Sequence, residues 1–358
     1  MPKDPPLPPV FTRSSALAAG LSRHQVAHRA RTGRWVTLGR GVYAPSDLYD
    51  VLPDRDRHRL ALVGTLLARG GNEAASHLSA AVVFDMRLPL AGAGPVTLTS
   101  PDLDDCTRHS DRFVRQVATL PDRDCTDRTV SCCGASWRVP VTTPARTVAD
   151  NLRHLHLPDA VALGDGALRC DTTTYEAVSE VLRRQERWPY ADHGRLALPL
   201  LDPRRETWLE SYSFARLHQL GIPMPEPQVT IRDEQGRFVA RVDGLLEEWG
   251  VVLECDGREK YFVDDLATTS ASTAPPTVEE AQRLMARKVE SEKRREDLLR
   301  DVGTEVVRWG TAEVHRSPEA IAHRIERAAV RAKGRTFTGY HEYLPAPSWL
   351  MPTMRRAG

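Results

Sequence analysis

Residues 241–261, RVDGLLEEWGVVLECDGREKY, decide how the C-terminal half of the chain folds. An apolar run lies on each side of Glu248-Trp249, and a hairpin folded there sets Asp243 opposite Glu254. Side chains alternate along a strand, so Val252, Glu254 and Asp256 share one face. Three carboxylates then crowd one patch of a largely apolar sheet. Two charges ~5 Å apart repel by about 3 kcal/mol at an effective dielectric near 20, and like charges across a ladder weaken it. A divalent cation relieves that repulsion, and oxygen-only ligands suit a hard ion such as Mg²⁺ (or Mn²⁺).

Upstream, Glu206–Leu220 reads as a helix with Trp208, Leu209, Tyr212 and Leu217 as candidate buried positions, stopped at Gly221-Ile-Pro. QVTIR, a DEQG turn and RFVARVDGLL follow as a hairpin, and GVVLECD as a third strand. Downstream, residues 264–278 are rich in Ala, Thr, Ser and Pro and are expected to form a mobile loop. Glu279–Arg300 reads as a long charged helix, EVVRW as a strand, and the chain from Thr311 as a final amphipathic helix before a tail at 333–358. Lys293, Arg294 and Arg295 suit a DNA backbone. They also fit a solvated face, because Glu290, Glu292, Glu296 and Asp297 interleave with them.

The 358 residues allow two or three domains. With 41% apolar residues and a net charge of +1, the chain reads as globular and not polycationic, so any nucleic-acid surface is local. No apolar run approaches the ~20 residues of a membrane helix. The start, MPKDPPLPPV, lacks the apolar core of a signal peptide. A cytoplasmic protein without a membrane partner or organic cofactor is expected. The six cysteines (106, 125, 132, 133, 170 and 255) match neither zinc-site nor disulfide spacing, so reduced structural thiols are expected.

Residues 1–10 read as a disordered arm and 11–50 as a winged helix-turn-helix. Thr12 caps a short helix through Ala19, Gly20 makes a turn, and Ser22 caps a second helix to about Thr32. RWVTLGRGVYA alternates as two strands about Gly39, a wing. Between Pro5 and Ser46 there is no Asp or Glu, but there are Arg13, Arg23, Arg29, Arg31, Arg34 and Arg40, with His24 and His28. Arg23, Gln25, His28 and Arg29 are expected on the exposed side of the second helix, where a recognition helix meets bases and phosphates. The bland alternative is a small helical domain with solvated arginines, or one facing an acidic protein.

Residues 51–186 read as a separate α/β region, and 187–205 as a linker. Two helical stretches, 54–70 and 72–86, precede the strands PVTLTS, FVRQVA and TVSCCGASWRVPV. Thr143-Pro144 opens another helix, and two more follow near Asp159–Arg169 and Thr174–Arg184. His58 and His77 are polar singletons without a nucleophile or acid at a telling spacing, so they read as satisfied or exposed histidines. GDGALR at 164–169 lacks the preceding strand of a dinucleotide site.

From Glu206 the order is helix, three strands, helix, strand, helix. With an acid on the first helix and D…ExD on the hairpin, this resembles the restriction-endonuclease-like, or PD-(D/E)XK, fold. The phrases TWLESYSFARLHQLGIPMPEPQV, RVDGLL, VVLECDGREKY, EKRREDLLRDVG and VVRWG resemble relatives of the very-short-patch-repair endonuclease. The N-terminal phrases ALAAGLSRHQVAHRARTGRWVTLGRGVYA, ASHLSAAVVFDM and VTTPARTVAD are similar to AbiE-type antitoxins. Overall these resemblances imply an α/β (α+β) chain with a winged helix-turn-helix, a middle α/β region and a C-terminal αβββαβα nuclease-like domain at 206–332. They imply DNA as partner, a cognate toxin, and phage defence, toxin–antitoxin regulation or DNA repair as the setting. Carried over residue by residue, Glu210 is the helix acid, and Asp243 and Glu254 are the ligands of Mg²⁺ or Mn²⁺ for phosphodiester hydrolysis. The pattern often has lysine two residues after the second acid. Here Asp256 stands there, either as a further ligand or as a departure, and Lys260 or Lys293 remains to supply the charge. The DNA-contact candidates are Arg23, His24, His28, Arg29, Arg31, Arg34, Arg40, Lys293 and Arg294. The alternative is a non-catalytic antitoxin-type regulator with a degenerate nuclease-like domain.

Overall fold

The computed structural model describes residues 6–102, 106–256 and 293–350, and the chain divides into two compact units, Met1–Leu198 and Pro199–Gly358. Lys260, the stretch 264–278 and most of the helix expected at Glu279–Arg300 lie outside the described residues. Among the described residues no helix is long and apolar enough to cross a membrane.

The first unit opens with β1 (Phe11–Thr12), α1 (Arg13–Ala18), α2 (Arg23–Arg31), β2 (Trp35–Gly39) and β3 (Val42–Pro45), its strands ordered β1-β3-β2. Both helices start where their caps dictate. Thr12 Oγ1 accepts the Ser15 N–H at 3.1 Å, while Ser22 and Gln25 satisfy each other's backbone N–H in a capping box. Phe11, Ala16, Val26, Trp35 and Tyr43 form the small core beneath them. Leu7 packs on that cluster, and Val10 is buried in a neighbouring one, so the second half of the expected disordered arm is anchored by its apolar side chains.

After α3 (Ser46–Tyr49), α4 (Asp54–Arg69) lies against β2. A Cβ on Gly39 would stand 2.5 Å from the Ala68 Cβ, and one on Gly64 would stand 2.4 Å from the Leu38 Cβ. Glycine on both elements is what permits this approach. A six-stranded sheet follows: β4 (Ala74–Ala75), α5 (His77–Val83), β5 (Val96–Ser100), β6 (Arg108–His109), β7 (Phe113–Val117), β8 (Cys125–Cys132) and β9 (Ala135–Thr142), ordered β6-β7-β5-β4-β9-β8. All six cysteines are free thiols.

Four helices complete the unit: α6 (Pro144–His154), α7 (Leu157–Arg169), α8 (Tyr175–Arg184) and α9 (Ala191–Ala197). Pro144 starts α6 as expected, but the Thr143 side chain makes no capping bond. Buried charges tie these helices together. Arg146 Nε donates to Asp150 at 2.7 Å, Arg153 donates to Asp150, Gln185 and the Pro189 carbonyl, and Arg184 clamps Asp124. Burial opposes the charge on Asp150, yet Arg146, His77 and Arg153 hold it down at about 2. Trp188 lies under both Arg146 and Arg153. The stretch 187–205, read as a linker, is therefore folded: its Trp and Pro anchor arginines, it contains α9, and Leu201, Asp202, Arg204 and Arg205 are buried.

The second unit runs α10 (Trp208–His218), β10 (Glu226–Asp233), β11 (Phe238–Leu246), β12 (Val251–Asp256), α11 (the helical residues 293–301), β13 (Glu305–Gly310), α12 (Thr311–Arg316), α13 (Pro318–Ala332) and β14 (Gly339–Glu342). The sheet order is β13-β12-β11-β10-β14, parallel only between β12 and β13. Leu253, Cys255, Val307 and Trp309 pack with α10 and α13, while Val252 packs with Leu299 of α11. The final helix is two helices, because Pro318 cannot continue α12. The tail is also partly ordered: β14 pairs with β10, and Trp349 Nε1 donates to the Leu201 carbonyl at 3.2 Å.

The polar singletons of the first unit are buried. His58 Nε2 is 2.8 Å from Ser79 Oγ, which itself accepts the Thr97 N–H, and His77 Nδ1 is 3.0 Å from Ser76 Oγ. Burial pushes both histidines down to about 4, so the fold holds them neutral. A depressed histidine stabilises fully above its unfolded value near 6.5, and that stability is lost as pH falls towards 4. The urea midpoint of the first unit is expected to drop over that window, each histidine contributing up to about 3 kcal/mol. In His58→Asn the midpoint at pH 8 is expected to be lower and its acid slope shallower; an unchanged slope contradicts the assignment.

Candidate nucleic-acid interface and carboxylate row

The hairpin of β11 and β12 forms in the expected register, with Gly244↔Leu253, Leu245↔Val252 and Leu246↔Val251. One step further, Asp243 Oδ2 accepts the Cys255 N–H at 2.8 Å, which places it beside Glu254. Both are buried, at 8% and 5% exposure. On the far side of β11, the pairs Pro227↔Gly244 and Val229↔Val242 leave Gln228 opposite Asp243, and on the far side of β12, Glu254 pairs in register with Arg308. A row therefore crosses four strands: Gln228, Asp243, Glu254, Arg308.

Glu210 joins this row from α10 without any exposure. Its carboxylate accepts the Glu206 N–H at 2.9 Å, the Thr207 hydroxyl at 2.8 Å and the Gln228 amide at 2.8 Å. It sits three residues after the N-cap Thr207, so its oxygens complete the helix start as in a capping box. Burial, then the Asp243 charge, push Glu210 above the ordinary carboxylate range. Gln228 reaches it from a left-handed backbone, φ 57°, in the middle of a strand. For a non-glycine residue that conformation costs about 1–3 kcal/mol. Gly244 has a steric duty next door, since a Cβ there would stand 2.7 Å from Phe214 Cζ of α10.

Besides Arg308 of β13, a second positive charge reaches this row from α11. Arg295 bonds Glu254, and although burial opposes its charge, Glu254, Asp243 and Asp256 together hold the guanidinium above its ordinary value. Burial pushes Glu254 up to about 7, the Asp243 charge adds to this, and Arg295 and Arg308 offset it in part. The two carboxylates have the hard oxygens that a divalent cation takes. However, one oxygen of Glu254 is held by Arg295, one of Asp243 by a backbone N–H, and both of Glu210 by its own helix start and Gln228. Among the described residues, no group of three or more His, Cys, Asp and Glu is placed to hold a metal. In this geometry a cation at Glu254 competes with the Arg295 guanidinium. Asp256 is exposed at the end of β12, and Lys293 and Arg294 are exposed on α11.

In the first unit, Arg23, His24, His28, Arg31 and Arg40 are exposed, and Arg34 is half-buried. His24 and His28 stack one turn apart on α2, with ring centroids 6.4 Å apart. Arg29 departs from expectation. It lies three residues after the buried Val26, on the core side, and is only 6% exposed with its guanidinium over Trp35. The residues that sequence reasoning missed are Gln228 and Arg308. Strand alternation carries no signal for a left-handed glutamine, and Arg308 is identified only once β12 and β13 are paired.

These features define a basic two-helix module with a three-stranded sheet at one end of the chain. A family model described as "Transcriptional regulator, AbiEi antitoxin" matches residues 7–46, the same module, which is thus similar to antitoxin-type regulators. No curated protein matches the chain.

Glu254 supplies a stability test. A carboxyl raised from 4.5 to about 7 stabilises fully below pH 4.5, and that contribution is lost as pH rises through 7. Glu254→Gln is expected to raise stability at pH 8 by up to about 3 kcal/mol, with the gain fading below pH 4.5. Equal gains at pH 8 and pH 4 in urea titrations contradict this.

Proposed function

We propose that the chain is a DNA-binding regulator of the antitoxin type, acting in the cytoplasm. In this reading α2 and the wing engage duplex DNA, and the second unit is a restriction-endonuclease-like frame in a non-cutting form. The observation that carries the reading is the acid-free module at residues 6–45. Its capped α2 exposes Arg23, His24, His28 and Arg31, and it coincides with the antitoxin family match. Arginines without neighbouring acids concentrate positive potential where phosphates sit. A cognate toxin is the expected protein partner.

The second reading, a metal-dependent endonuclease, is favoured by one observation: Glu210, Asp243 and Glu254 converge in one buried row. A cation entering that row has to compete with Arg295 for Glu254.

Incubation with plasmid DNA in Mg²⁺ or Mn²⁺, beside Asp243→Ala, separates the two. The regulator reading expects retarded, intact DNA. Cutting that Asp243→Ala abolishes supports the nuclease and overturns the regulator reading. Arg23→Ala/Arg31→Ala is expected to weaken binding to a random-sequence duplex and to lower the slope of log K against log salt by about 2, at roughly 0.9 per lost phosphate contact. An unchanged slope removes α2 from the interface.

A further inference from the structure

The second unit carries an arginine recess that none of the above uses. It has a volume of about 300 Å³ and is lined by Val306, Val307, Arg308, Arg324, Arg327 and Arg331. The floor is β13, an edge strand of the sheet, and the wall is α13. Arg324, Arg327 and Arg331 follow one another at helical spacings of three and four, so they form one stripe along the helix. Two of them are already oriented. Arg324 is fixed by the Arg308 carbonyl at 3.0 Å and Glu313 at 2.9 Å, and Arg331 by Glu305. Glu305 also serves Arg335, so the acids are outnumbered. Arg327 is exposed and has no acidic partner among the described residues. Glu326, the neighbouring acid, lines a different recess with Ala329, Val330 and Lys333.

We propose that this recess is a phosphate-backbone site for duplex DNA, which gives the second unit a contact of its own. Guanidinium groups present paired donors that match phosphate oxygens, and fixed ones lose less freedom on binding. The recess is small and charged throughout, apart from the two valines of its floor. It therefore suits a single phosphate group of a polyanion better than a base or an apolar side chain. This inference rests on the reading of the chain as a DNA-binding protein.

The test is fluorescence anisotropy of the full chain with a random-sequence duplex across a salt series. It compares wild type, Arg327→Ala/Arg331→Ala and Arg23→Ala/Arg31→Ala. Both positions in α13 are exposed, and an unchanged melting temperature shows that the fold survives. The α13 variant is expected to bind more weakly at every salt concentration, with a slope lower by about 2. A conservative Arg327→Lys/Arg331→Lys variant is expected to recover most of the slope, because charge and not shape sets it. If the α13 variant binds like wild type while the α2 variant loses affinity, the recess is not a DNA site and the regulator reading stands. If wild type itself fails to bind at low salt, both are overturned.

Discussion

Removing carboxylates from water is what organises the second unit. Asp243 and Glu254 are held side by side on adjacent strands, and Glu210 is brought against them by α10. An isolated buried charge costs several kcal/mol, and adding like charges costs more. The fold meets the cost with three different devices. A backbone N–H serves Asp243, a helix start and a strained glutamine serve Glu210, and an arginine from another helix serves Glu254. Each device fixes one element against the sheet: the hairpin, α10 and α11. The placement of these elements follows from the charge balance as much as from the apolar clusters beneath them.

The first unit solves a similar problem with a different composition. Its buried Asp150 is overcompensated by Arg146 and Arg153, both of which rest on Trp188. Here the acid is held charged, whereas Glu254 is pushed towards neutrality at ordinary pH. The contrast lies in the ratio of arginines to acids within reach. Arg146 and Arg153 keep Asp150 ionised despite its burial, whereas Arg295 and Arg308 offset only part of what burial and the Asp243 charge do to Glu254.

Much of this was legible in the sequence wherever the signal is local. The Thr12 and Ser22 caps, the hairpin register and the helix–three strands–helix–strand order all follow from short-range rules. The signal fades where the partner that gives a residue its place lies outside the local pattern. The charge of Arg29 points to solvent, whereas its spacing from Val26 turns it onto the ring of Trp35. The segment 187–205 has the look of a linker because its Trp188 has meaning only under arginines of α6. Residues 339–342 have the look of a tail because four residues without strong β-character become a strand only when β10 offers an edge. Gln228 is the clearest case: its conformation exists to reach a carboxylate eighteen positions earlier.

The glycine contact between β2 and α4 carries a consequence for the basic module. With Gly39 and Gly64 backbone-close, the wing is soldered to the helix that also covers the six-stranded sheet. The module cannot behave as a bead on a tether that samples orientations until it finds a groove. Docking it orients the whole first unit in the same act, so the surface that the sheet and α6–α9 present is set by where the wing lands. A unit built this way trades search freedom for a fixed bearing on whatever it binds.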